Sequence, residues 1–279
     1  MKVLEAIKSG SKLLKAKNVN TYILDSELLL SKSLNKSREE ILINLEQNIN
    51  KKALTDFNKY LVRRSRREPI AYLLEEKEFW SKKFFVNKNT LIPRPETELM
   101  VEKLVTFFKK KRITILDIGT GTGCIILSLL SELKNSTGIA VDISNKAIMV
   151  AKKNAYKFKL SDRIKFLNKP FEDLHGKKFD LIVSNPPYVT RMEIKNLSDD
   201  IKKFEPRMAL DGGNDGLDLI KKVIYKSKEI LKINGTLALE IGNEQINKVS
   251  KILIEKKFRI KCVIKDYRNN VRCVFAELR

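Results

Sequence analysis

Asn185-Pro186-Pro187-Tyr188 is the stretch of this chain that concentrates the most chemistry in the fewest residues. The apolar run Phe179-Asp180-Leu181-Ile182-Val183 reads as a short buried strand that delivers it. Two consecutive prolines remove two N–H donors and fix two φ angles near about −65°, so the strand ends in a rigid turn. A residue before proline is held extended, which sets the direction of the Asn185 and Pro186 carbonyls at the strand's carboxyl end. Asn185 adds a side-chain oxygen, and Tyr188 an aromatic face on which a flat polar group can stack. Such a set grips a planar NH2 group. A Pro-Pro pair met alone is as readily a plain strand stop, and a second motif separates the two readings.

Asp117-Ile118-Gly119-Thr120-Gly121-Thr122-Gly123-Cys124 lies between a strand and a helix, where glycines let backbone N–H groups come close to a ligand. The dinucleotide fingerprint G-x-G-x-x-G needs its third glycine at position 124, which is Cys124, so NAD is disfavoured. No Gly-Lys-Ser/Thr follows, which disfavours a nucleoside triphosphate. Asp142 ends the next strand, where an acid can accept hydrogen bonds from both ribose hydroxyls. Asp117 offers a second carboxylate, beside which an ammonium can sit. S-adenosylmethionine, with ribose, ammonium and sulfonium, suits this set better than a pyrophosphate.

The elements that must hold these motifs alternate. Strands are expected at residues 113–117, 139–142, 164–167, 179–184, 236–240, 260–265 and 271–277, with helices between most of them. That order implies a largely parallel seven-stranded sheet covered on both faces, of α/β, Rossmann-like class. The last two strands are too close for a crossover helix and are expected as an antiparallel edge hairpin. Residues 1–75 read as a small all-helical domain. Its apolar stripes run through Val3, Leu4, Ile7, Leu13 and Leu14, then Ile23, Leu24, Leu28 and Leu29, then Leu54, Phe57, Leu61 and Val62. Ser37 and Glu40 form a capping box for a third helix. Residues 76–95 read as a β-hairpin linker, with Phe84-Phe85-Val86 extended and Asn87-Lys88-Asn89 turning. Residues 96–279 form the catalytic domain.

The 279 residues are 43% apolar, enough to fill a core, and neither a signal peptide nor a membrane span is visible, which places the protein in the cytoplasm. Cys124, Cys262 and Cys273 are odd in number and lack metal-ligand spacing, and His175 is the one histidine. A disulfide framework, a metal site and a histidine-based triad are therefore not expected. The formal charge of +22 suits an acidic partner, although lysine outnumbers arginine threefold and is spread along the chain. Two denser basic runs, Arg63-Arg64-Ser65-Arg66-Arg67 and Lys109-Lys110-Lys111-Arg112, fit solvated helix ends.

Taken together, these residues resemble the class I S-adenosylmethionine-dependent methyltransferases, and within them the protein-(glutamine-N5) methyltransferases that modify peptide-chain release factors. The resemblance extends over Arg67-Glu68-Pro69-Ile70-Ala71-Tyr72-Leu73, Leu91-Ile92-Pro93-Arg94-Pro95-Glu96-Thr97-Glu98, the glycine loop, Asn185 to Tyr188 and Phe204-Glu205-Pro206. It implies that Gly119, Thr120, Gly121, Thr122, Gly123 and Asp142 contact the cofactor, with further contacts at Pro170 and Asn185. It implies that Asn185, Pro186, Pro187 and Tyr188 hold the glutamine of the Gly-Gly-Gln motif, and that Asn185, Pro186 and Tyr188 carry catalysis. Glu75 stands where the family has glycine, and Leu167-Asn168-Lys169-Pro170-Phe171 is one residue short and lacks the family's acid. The competing activity is an amino-methyltransferase acting on the exocyclic nitrogen of adenine or cytosine in nucleic acid, which also presents a planar NH2. The helical domain and the Ile92 to Glu98 signature disfavour it.

Overall fold

Apolar residues recur at helical spacing in the first quarter of the chain and in strand-length runs thereafter, and the computed structural model, which describes residues 1–279, follows that division. It contains two compact units, Met1–Glu76 with Ser198–Phe204, and Lys77–Leu197 with Glu205–Arg279.

The first unit holds α1 (Val3–Ala16), α2 (Tyr22–Leu34), α3 (Arg38–Ile43), α4 (Lys51–Ser65) and α5 (Ile70–Leu74). Val3, Ile7, Leu14, Leu29, Leu30, Phe57 and Leu61 form its core. Leu13, Ile23, Leu24 and Val62, expected in the stripes, are instead exposed. On α2 the buried face is shared with polar groups, because Ser26 donates to the Ile7 carbonyl and Asp25 accepts from Arg64. The Ser37–Glu40 capping box forms in both directions. Arg64, in the basic run, is buried and reaches both Asp25 at 2.7 Å and Asp200 at 2.8 Å. It is therefore not part of a solvated helix end.

The second unit opens within a hairpin of β1 (Glu76–Phe79) and β2 (Lys82–Phe85), whose first residue Glu76 belongs to the first unit. It lies earlier than the sequence reading set it. The turn is Trp80-Ser81, with φ of 51° and 53°, and residues after Val86 run as loop. Nor is the hairpin a mere linker: Phe79 and Phe84 are buried in the core of this unit, edge to face at 5.9 Å. There follow α6 (Glu98–Phe108), β3 (Thr114–Ile118), α7 (Cys124–Glu132), β4 (Thr137–Asp142), α8 (Asn145–Lys157), β5 (Ile164–Asn168), β6 (Phe179–Ser184) and α9 (Arg191–Asn196). After α10 (Asp199–Phe204), which belongs to the first unit, come α11 (Asp218–Ile230), β7 (Leu231–Glu240), α12 (Ile246–Glu255), β8 (Phe258–Lys265) and β9 (Val271–Leu278).

The seven strands lie in the order β5-β4-β3-β6-β7-β9-β8. β5 through β7 are parallel, and β9 runs antiparallel between β7 and β8. Alternate residues serve opposite faces, as a period of two requires. Ile115, Leu181, Val183 and Ala238 pack with Met100, Leu104, Ile126 and Leu130 of α6 and α7. Leu116, Ile118, Ile182, Leu237 and Leu239 pack with Ile220, Val223, Ile224, Val249 and Leu253 of α11 and α12. Chain order reverses between β3 and β6, and the crevice beyond the carboxyl ends of those two strands is where such sheets bind ligands.

Candidate active site

Both motifs emerge at that reversal. The Ser184 hydroxyl donates to the Ile118 carbonyl at 2.8 Å, so the end of β6 is tied to the end of β3. Beyond it a cavity of about 410 Å³ is lined by Gly119, Thr120, Gly121, Thr122, Asp142, Pro170, Asn185, Pro186 and Pro187, all expected from the sequence, together with Arg94 and Thr97. Gly123 and Tyr188 stand outside the lining. Gly123, with φ of 79°, caps the start of α7, and Tyr188 packs its ring on the sheet's core while its hydroxyl donates to Glu240 Oε1 at 3.2 Å. Tyr188 is thus held by a buried acceptor within reach on β7 and does not line the cavity.

The glycine loop is held from below. The N–H groups of Gly119 and Thr120 both donate to the Val141 carbonyl, at 2.9 and 3.1 Å. Gly119 and Gly121 have φ of 72° and 54°, and a Cβ on either would meet nothing within 4 Å, so the loop leaves open space above it for a ligand. Asp142 accepts from the N–H of Gly121 at 3.0 Å and of Ser144 at 2.9 Å. These bonds hold its carboxylate in the cavity wall, with burial pushing its pKa up and the two N–H donors opposing that. Pro170 lies beside Phe171, and the Asn168 amide donates to the carbonyls of Asp142 and Ile143 at 3.0 and 2.9 Å. In the segment that departs from the family, an amide therefore ties β5 to the end of β4.

Asp117 is not in the wall. It is buried beneath the loop, where Thr120 Oγ1 donates to one of its oxygens at 2.7 Å and the other has no partner. Burial pushes this carboxyl up to about 7, against the Thr120 bond, with the Asp142 charge adding to the rise. An ammonium in the cavity would meet Thr120 before Asp117. Cys124 lines the cavity but burial pushes its thiol up to about 12, so it is no nucleophile at neutral pH.

Three arrangements escaped the sequence reading. Thr97 Oγ1 donates to Glu240 Oε2 at 2.6 Å and accepts from Asn185 Nδ2 at 3.4 Å. A signal for Glu240 was present, since an acid ending the apolar run Leu237-Ala238-Leu239 mirrors Asp142 at the end of β4. Asn154, fully buried on α8, accepts from Phe85 N–H at 2.7 Å and donates to the carbonyls of Phe85 and Thr122, which binds hairpin to glycine loop. Buried Glu205 accepts from Ile92 N–H at 3.1 Å and from Arg94 at 2.6 Å, fixing the stretch that forms one cavity wall.

Residues 5–74 match the PrmC N-terminal domain, and residues 109–267 match a methyltransferase domain. A release factor glutamine methyltransferase of Clostridium acetobutylicum is 39% identical over 237 residues, covering 83% of this chain and 82% of that protein. The protein of the same name from Buchnera aphidicola subsp. Baizongia pistaciae is 40% identical over 232 residues, covering 83% of each. Among solved structures, a methyltransferase from Pyrococcus furiosus superposes with a TM-score of 0.53 at 17% identity, covering 70% of this chain and 87% of that one, a likeness of fold alone. The identities, held over four-fifths of both chains, together with the two domain matches place this chain in the release factor glutamine methyltransferase family.

Proposed function

We propose that this protein transfers a methyl group from S-adenosylmethionine to the side-chain amide nitrogen of a glutamine in a peptide-chain release factor, the glutamine of its Gly-Gly-Gln motif, in the cytoplasm. The observation that carries this reading is the convergence of a ribose-type acid, an open glycine loop and Asn185-Pro186-Pro187 on one cavity.

The cavity's donor set fits the cofactor. Asp142 supplies acceptors at the right strand end for ribose hydroxyls, Gly119 to Thr122 supply close backbone, and Ile118, Val141, Pro170 and Phe171 supply apolar walls for a flat ring. When bound, S-adenosylmethionine supplies an electrophilic methyl whose bond to sulfur breaks as the new bond to nitrogen forms. On the substrate side, an amide nitrogen is a weak nucleophile because its lone pair is shared with the carbonyl, and the cavity wall contains no histidine. Asn185 and the Pro186 carbonyl act by accepting the two N–H groups and turning the lone pair toward the methyl. Orientation of this kind lowers a barrier by up to roughly 7–11 kcal/mol. The proton leaves after transfer, when the nitrogen is acidic, so water suffices as its acceptor.

The test is methyl transfer from labelled cofactor to purified release factor, to the same factor with its glutamine replaced, and to nucleic acid. Label in the intact factor alone supports the reading; label in nucleic acid overturns it. Asn185→Ala is expected to lower kcat by about a hundredfold or more, the scale of losing one preorganised polar group, with cofactor affinity nearly unchanged. Near-normal turnover in that variant would make Asn185 a strand stop only.

A further inference from the structure

Asn185 can grip an NH2 group only with its oxygen, yet an asparagine amide is nearly symmetric in shape and can face a ligand with either end. The residues behind it break the tie. Glu240 is 1% exposed and Thr97, at the cavity wall, 2% exposed, so both are surrounded mainly by protein groups. Both Glu240 oxygens are met by a hydroxyl, Oε2 by Thr97 at 2.6 Å and Oε1 by Tyr188 at 3.2 Å, and when the carboxylate is ionised it only accepts, so both hydroxyls donate to it. Having given its one proton, Thr97 retains only lone pairs and can meet Asn185 only as an acceptor. Asn185 Nδ2 therefore faces Thr97, at 3.4 Å, and Oδ1 is the atom left for a ligand. Burial holds the Glu240 carboxyl above its ordinary range, and the hydrogen bonds from Thr97 and Tyr188, the Arg272 charge and Asn185 oppose that rise.

We propose that Glu240, acting through Thr97, fixes which end of the Asn185 amide faces the cavity and thereby makes the site a receptor for an amide NH2 and not for a carboxylate oxygen. Glu240 and Thr97 are positioning residues. This rests on the methyl-transfer reading above and adds to it a determinant of substrate choice: the same release factor with glutamate in place of its glutamine is rejected because Asn185 Oδ1 meets it with like polarity. Reversing the hydrogen-bond direction at Glu240 weakens that preference, since Thr97 can then donate to Asn185 Oδ1 and turn Nδ2 outward.

The experiment uses the full chain with release factor carrying either glutamine or glutamate at the target position. Glu240→Gln and Thr97→Val are compared with Thr97→Ser, which keeps the hydroxyl. Readouts are kcat on the glutamine form, competitive inhibition by the glutamate form, cofactor affinity by calorimetry and the melting temperature. Glu240→Gln and Thr97→Val are expected to lower kcat about tenfold or more, with cofactor affinity within about threefold. They should also reduce the preference for the glutamine form over the glutamate form by about tenfold. Thr97→Ser should retain both kcat and preference. An unchanged preference in folded Glu240→Gln or Thr97→Val overturns the inference, as does a Thr97→Ser variant that loses as much as Thr97→Val. If Thr97→Val does not fold, Glu240→Gln and Thr97→Ser decide alone: a reduced preference in the first with a retained one in the second supports the inference, and any other pairing overturns it. Failure of the wild type to label the release factor at all is a different result, which removes the proposed function itself.

Discussion

The Asp117 carboxylate is buried, with one oxygen accepting from Thr120 and the other without a hydrogen-bond partner. Its raised pKa means that the folded protein keeps a proton that the unfolded chain releases near about pH 4. The contribution to stability is thus full below about pH 4 and is lost as pH rises to about 7, above which it is flat. Asp117→Asn, which can still accept from Thr120, is expected to remove this slope. Urea denaturation across that range should show the variant gaining on the wild type by at most roughly 4 kcal/mol, and parallel curves would mean that Asp117 titrates normally. Burial raises the Asp142 carboxyl as well, but two N–H groups sit on its oxygens and oppose the rise. Asp142→Ala should weaken cofactor binding by about 1–3 kcal/mol, with calorimetry as the check. The position of Asp142 was readable because strand ends in such sheets face the crevice. That Asp117 lies beneath the loop was not, since sequence spacing does not say which side of a turn a carboxylate faces.

Among the elements, the first hairpin shows why a turn can be invisible in sequence. A two-residue hairpin turn wants positive φ at both positions and is ordinarily written with asparagine or glycine. Here it is written Trp80-Ser81, while the asparagines of Asn87-Lys88-Asn89 serve a loop in which Asn87 Oδ1 accepts from Asn89 N–H. What holds the hairpin is Asn154. Asn154→Leu strands the Phe85 N–H and two carbonyls in the interior, at a cost of about 3 kcal/mol or more, and loosens Thr122 of the glycine loop. A lower melting temperature accompanied by weaker cofactor binding is the expected result; a change in neither would free the loop from this helix. At the other departure, Glu75 ends α5 with φ of 58°, the conformation glycine tolerates best, which gives a backbone reason for the family's glycine. Glu75→Gly should stabilise the chain by about 0.5–1 kcal/mol, the left-handed strain being larger than the added chain entropy. The motifs that made the family readable also explain one another: Glu205 of Phe204-Glu205-Pro206 is the residue bonded to Ile92 and Arg94.

At the scale of the molecule, an isolated glutamine side chain offers too few contacts to single out one protein, so selectivity must draw on a surface away from the transferred methyl. The helical unit matches the PrmC N-terminal domain, and we propose that it docks the release factor. Its arginine run is not uniform. Arg64 is buried between Asp25 and Asp200, whereas Arg66 is exposed and Arg63 forms an exposed fork with Glu68 at 2.8 and 2.6 Å. Neutralising all four arginines would therefore confuse docking with folding. Breaking the buried pair by Arg64→Ala should cost about 3–5 kcal/mol of stability. Arg63→Gln with Arg66→Gln should leave melting temperature, cofactor affinity and kcat unchanged while slowing association with the intact release factor by about threefold to tenfold at low salt. The difference should shrink as ionic strength rises and the Debye length falls below the reach of exposed charge. A short peptide carrying the same glutamine supplies the control, because it lacks the surface that the arginines would meet and should be methylated equally by both enzymes. If the double variant keeps the wild-type rate and salt dependence with the intact factor, the net charge of +22 is not being used through this run.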